Sequence, residues 1–116
     1  MRHQMHLDPK YREMIKSGTK KIELRLYDAK RKSINLGDEI EFLPMSGAVD
    51  PHDKLITKVV GILRYPTFKE IIADYPIEIL AEENYSPDIL LKDLEKLYTP
   101  GLQNTYGVVG FRLERI

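Results

Sequence analysis

The chain has 116 residues, room for one hydrophobic core, and its 42% apolar and 31% charged content suits a folded globular domain rather than a disordered segment. Cysteine is absent, which excludes disulfide scaffolds, thiolate metal sites and cysteine nucleophiles together. Eighteen basic and eighteen acidic side chains cancel to a net charge of zero, which speaks against a broad, sequence-indifferent polyanion binder.

The first segment, Gln4–Leu7, reads as a short opening strand. Asp8 is placed as an N-cap with Pro9 at the first helical position, where a missing N–H costs nothing. Tyr11, Met14 and Ile15 share one face, and Gly18 supplies a left-handed stop, so Pro9–Ser17 is a short amphipathic helix. Lys20–Tyr27 alternates cleanly: Ile22, Leu24 and Leu26 point one way, Lys21, Glu23, Arg25 and Tyr27 the other. Asp28–Ser33 reads as a basic loop, and Leu36-Gly37-Asp38 as a turn into the strand Glu39–Leu43. A loop follows over 44–53. Lys54–Tyr65 is a long strand with Gly61 as a bulge. Thr67 is set to cap a helix carrying Phe68, Ile71 and Ile72. A helical stretch at about 77–83 precedes a helix started by Ser86 and Pro87. Thr105–Leu113 closes the chain as a strand interrupted by Gly107 and Gly110.

Runs of strands with the helices gathered into one insertion and one crossover give an α+β fold in a single domain over 1–116, and glycines inside strands suggest the curvature of a small barrel. No apolar run reaches the length of a membrane span, and residues 1–6 lack the hydrophobic stretch of a signal peptide, so the expected setting is the cytoplasm.

The neutral total conceals strong blocks. Residues 1–32 hold ten bases and four acids, whereas 70–95 hold eight acids and a single lysine. Such blocks are either solvated faces that attract one another or a dipolar molecule with a basic cleft. The densest functional signal is Ser17–Arg25. There Lys21, Glu23 and Arg25 stand at about 6.5–7 Å intervals along one strand face, with Lys20 at its mouth. One acid among cations holds them in place and leaves positive charge for a phosphate or a base edge. Thr19, beside the glycine turn, either caps backbone groups or touches a phosphate. Tyr27, Tyr65 and Tyr106 fall near strand ends, where an aromatic ring can stack on an unpaired base for about 1–3 kcal/mol. Asn104 is a candidate for reading a base edge. His3 and His6 face opposite sides of a strand and His52 is distant, so no metal site is expected. No cofactor is implied.

The segments Ser17-Gly18-Thr19-Lys20-Lys21-Ile22-Glu23-Leu24-Arg25 and Gly37-Asp38-Glu39-Ile40-Glu41-Phe42, with Arg64–Glu70 and the closing Tyr106–Phe111, resemble an ASCH domain of the PUA-like superfamily. The resemblance spans nearly the whole chain. It implies a small, partly open β-barrel of about five or six strands flanked by helices, with a cleft over the Lys–Glu–Arg strand. It also implies recognition of RNA or of a modified nucleobase. One bacterial branch hydrolyses 4-acetylcytidine with a lysine, a threonine and a later glutamate. The lysine matches Lys20 and the glutamate matches Glu83, but the threonine position falls on Glu23. A carboxylate there cannot form the acyl intermediate that a hydroxyl would, and Lys20 beside it is expected to stay protonated. Binding of RNA or a nucleotide therefore ranks above amidohydrolysis, with a protein-interaction module built on the acidic 70–95 segment third. Phosphates are expected on Lys20, Lys21, Arg25 and the loop Lys30, Arg31 and Lys32. A monomer is the expected state.

Overall fold

Asp8 caps the first helix as its position predicts: its carboxylate accepts from the Lys10 N–H at 2.8 Å, and Gly18 ends the helix at φ +88°. This helix, α1 (Pro9–Ser17), links two strands, β1 (Arg2–Leu7) and β2 (Ile22–Leu26). Onward in the computed structural model, which describes residues 1–45 and 52–116, come α2 (Ala29–Lys32), β3 (Glu39–Pro44) and β4 (Ile56–Tyr65). Four helices follow, α3 (Phe68–Asp74), α4 (Ile77–Leu80), α5 (Pro87–Leu97) and α6 (Pro100–Tyr106), and β5 (Val108–Arg115) closes the chain. Much of the loop read over 44–53, residues 46–51, lies outside the described residues.

The strands form one mixed sheet in the order β1-β3-β4-β5-β2, parallel between β1 and β3 and antiparallel elsewhere. It is an open five-stranded sheet flanked by helices, an α+β fold, and it does not close into a barrel. Its edges are β1 and β2. Between them a side chain takes over where backbone pairing stops: Arg25 Nη2 donates to the His6 carbonyl at 2.7 Å. The bulge expected at Gly61 is present, as a register shift between Val59 and Gly61.

Two cores lie on either side of β2 and β5. One gathers Met5, Ile40, Phe42, Val59 and Phe111, and the other packs Ile22 and Val108 against Phe68, Ile71 and Leu80 of the helical insertion. Gly110 is what lets α3 approach the sheet. A Cβ there would meet Ile71 Cδ1 at 2.8 Å and Ile22 Cγ2 at 2.9 Å, inside any tolerable contact. That glycine serves close packing rather than a bend.

Two elements differ from the sequence reading. Asp28–Ser33 is not a loop: Asp28 accepts from the Arg31 N–H at 3.2 Å and starts a helical turn, α2. Residues 105 and 106 belong to a helix, not to the closing strand. Thr99 accepts from the Leu102 N–H at 3.3 Å and Pro100 takes the first helical position, so a helix begins there and runs to Tyr106. Thr67 makes no side-chain cap; the Phe68 N–H donates instead to Gln103 Oε1 at 3.0 Å, which ties α3 to α6.

Candidate functional site

The tight end of α1 turns the chain so that Lys20 enters β2 pointing inward. The Thr19 and Lys20 N–H groups both donate to the Met14 carbonyl, at 3.0 and 3.1 Å. Lys20 Nζ then donates to the carbonyls of Ile22 at 2.5 Å and Leu80 at 2.7 Å, and lies 3.3 Å from Glu23 Oε1. The other Glu23 oxygen accepts from Arg25 Nε at 2.8 Å. Lys20 and Glu23 are only 4% and 5% exposed, so the three charges form a chain inside the protein rather than on a wet strand face.

Burial pushes the Lys20 ammonium below its ordinary range, against the pull of Glu23. Three acceptors surround Nζ, and only the ammonium form has three hydrogens to give them, so the geometry favours the charged state. Burial alone would raise the Glu23 carboxyl, but Lys20 and Arg25 together outweigh it and hold it below the usual carboxylate range. Arg25 loses hydration too, yet Glu23 and the neighbouring Tyr98 leave its guanidinium raised. Charges so placed are costly to bury, and two cations share one anion. Perturbed groups of this kind in a cleft make it a candidate functional site.

The three residues form the floor of a cavity of about 580 Å³. Leu90, Leu94 and Leu97 of α5 and Tyr98 at its C-terminal end line one wall, with Leu7 and Tyr11 also at the cavity and Lys30 and Arg31 of α2 adding positive charge. Apolar walls over a cationic floor suit a planar group that carries an anion. The acidic block thus contributes Leu80, Leu90 and Leu94 to the cavity. Its Glu82 turns to Lys10 in an ion pair.

The other sequence candidates are dispersed. Lys21 is exposed and outside the cavity, bound through its backbone to Ile79 and Leu113. Thr19 Oγ1 donates to the Met14 carbonyl at 3.2 Å, which is its capping role. Glu83 is exposed in the turn before α5 and does not line the cavity. Asn104 is exposed on α6, while its neighbour Gln103 is buried and bridges Phe68 and the Tyr98 carbonyl. Tyr27, Tyr65 and Tyr106 meet each other elsewhere, in a groove of about 310 Å³ with Arg64 and Pro66. Sequence reasoning missed Arg12, which is 6% exposed and binds the Phe42 carbonyl and Asp53. It also missed Tyr98 and the α5 leucines as cavity wall.

His3 pairs with Asp38 at 2.8 Å and His6 contributes its carbonyl to Arg25. Among the described residues there is no group of three or more His, Cys, Asp or Glu arranged for a metal ion, and no helix is long and apolar enough to cross a membrane.

The ASCH domain family profile matches residues 5–114. Among solved structures, the hypothetical protein PH0355 is 38% identical, with a TM-score of 0.85 and full coverage of both chains. Protein PF0455 from Pyrococcus furiosus is 31% identical at a TM-score of 0.79, over 100% of this chain and 98% of that one. A mutant of ZmASCH from Zymomonas mobilis shares the fold at a TM-score of 0.66 and 16% identity, over 96% of this chain and 66% of that one. No curated protein is a significant match.

Proposed function

The chain belongs to the ASCH domain family, with its PUA-like fold, and on that premise we propose that it binds RNA or a nucleotide in the cavity over β2. The observation that carries this reading is the buried Lys20–Glu23–Arg25 chain at the cavity floor, 3.3 and 2.8 Å between partners. A domain gains little stability from burying two cations around one anion, so the arrangement has its best use in a ligand. Arg25 faces the cavity with Lys30 and Arg31 nearby, and these would receive the phosphate. A base would lie against Leu94, Tyr98 and Tyr11, and the Glu23 carboxylate would accept from an exocyclic amino group.

Amidohydrolysis of an acylated pyrimidine nucleoside fits less well. Lys20 has all three hydrogens committed and no lone pair with which to take a proton. Titration with the four nucleoside monophosphates tests the reading. Arg25→Gln should weaken binding about tenfold or more, and affinity should fall as salt rises because cations and phosphate exchange counterions. Binding indifferent to both, or turnover of 4-acetylcytidine lost in a folded Lys20→Met variant, would overturn it.

A further inference from the structure

The cavity uses neither Tyr27 nor Arg64, and what these do follows from α2. That helix is three consecutive cations after one alanine, and it lies between two openings. Lys30 and Arg31 line the cavity, while Lys32 Nζ reaches 5.7 Å from the centre of the Tyr27 ring in the groove. The Arg64 guanidinium sits 4.3 Å from the same ring centre. A guanidinium stacked on a tyrosine offers its outer face as a flat cationic plate, the kind of surface on which unpaired bases stack. Neither Arg64 nor Lys32 has a carboxylate partner within ion-pair distance among the described residues.

The groove is also built, not incidental. Tyr106 presents a ring that is 43% exposed, and the Tyr65 hydroxyl is anchored by donating to Asp74 at 2.6 Å. Gly107 adopts φ +73° with ψ −179°, a conformation essentially reserved for glycine, and its carbonyl accepts the Tyr27 N–H at 3.0 Å. That one backbone position sets Tyr27 beside Tyr106. Among the described residues, no acid lines the groove.

We propose that the Tyr27–Arg64–Tyr106 groove is a second base-binding site and that α2 carries the sugar–phosphate backbone between it and the cavity. The ligand is then a single-stranded oligonucleotide rather than a free nucleotide. The cavity half of this inference rests on the function proposed above. The groove half stands on its own residues.

Uridine monophosphate, hexauridylate and the deoxyuridylate hexamer distinguish the two halves. The unaltered protein should bind a hexamer at least about tenfold more tightly than the mononucleotide, since a further base stacks and further phosphates are met. Tighter binding of either hexamer supports the inference and identifies the preferred backbone. Arg64→Gln and Tyr106→Leu, both on exposed side chains, should remove most of that gain and leave uridine monophosphate binding unchanged. No gain with length, or a gain that survives both substitutions, overturns the groove. Hexamer binding that depends on Arg64 and Tyr106 but is indifferent to Arg25→Gln overturns the cavity reading and keeps the groove.

Discussion

The cavity and the tyrosine groove lie near the two ends of one short strand, β2, yet they hold positive charge in opposite ways. In the cavity, Lys20 and Arg25 are withdrawn from water and clamped by Glu23 and by the carbonyls of Ile22, Leu80 and His6. In the groove, Arg64 and Lys32 remain exposed and rest on the face of Tyr27. The first arrangement fixes geometry and is costly to assemble. The second leaves the cations hydrated and costs the fold almost nothing except at Gly107. Buried charge gives a rigid recognition surface, and exposed charge on an aromatic ring gives an adaptable one.

Substitutions separate the two regions by size of effect. Glu23→Gln should be the most damaging, costing about 3–5 kcal/mol in chemical denaturation, because it leaves two cations buried without their anion. A midpoint close to the unaltered protein's would mean that water reaches Lys20 and Arg25, and the contrast would collapse. Gly107→Ala comes next, at about 1–3 kcal/mol, since alanine is strained at φ +73° and ψ −179°. The loss should also release Tyr27 from its register beside Tyr106, visible as a change in tyrosine fluorescence.

Acid should act on the carboxylates that are held low. Glu23 lies below its ordinary 4.5, and Asp38 is held down to about 2 by the Asn35 N–H and by His3. A depressed carboxyl stabilises the fold fully above its unfolded value and loses that contribution as pH falls through its folded value. Melting temperature should therefore be level above about pH 5 and decline below about pH 4. Asp38→Asn should flatten the lower part of that decline without touching the cavity. The smallest effect belongs to Tyr106→Leu, expected within about 0.5 kcal/mol of the unaltered protein, because the ring is at the surface. A large loss would mean that the groove is part of the core after all.

Much of this was legible along the chain because it is local. The cap at Asp8, the stop at Gly18, the alternation of β2 and the bulge at Gly61 follow from steric and hydrogen-bonding preferences of adjacent residues, and each stands where the sequence puts it. Local signals also misled. Thr105 and Tyr106 read as the start of the closing strand, but Thr99 and Pro100 begin a helix that runs through them. Strand alternation selects Lys21 as the partner of Glu23. Lys20, two residues before the strand, takes the place because the α1 stop turns it inward, where the Leu80 carbonyl waits.

The sequence by itself determined the family resemblance and, α2 apart, the elements up to β4. Only the tertiary structure decided that the candidate residues divide between a cavity and a separate groove. Which face of α5 covers the cavity, and whether Tyr27 meets Arg64 or Arg25, depends on pairings between residues far apart in the chain. The order of strands in the sheet fixes those pairings, and no short-range preference encodes that order.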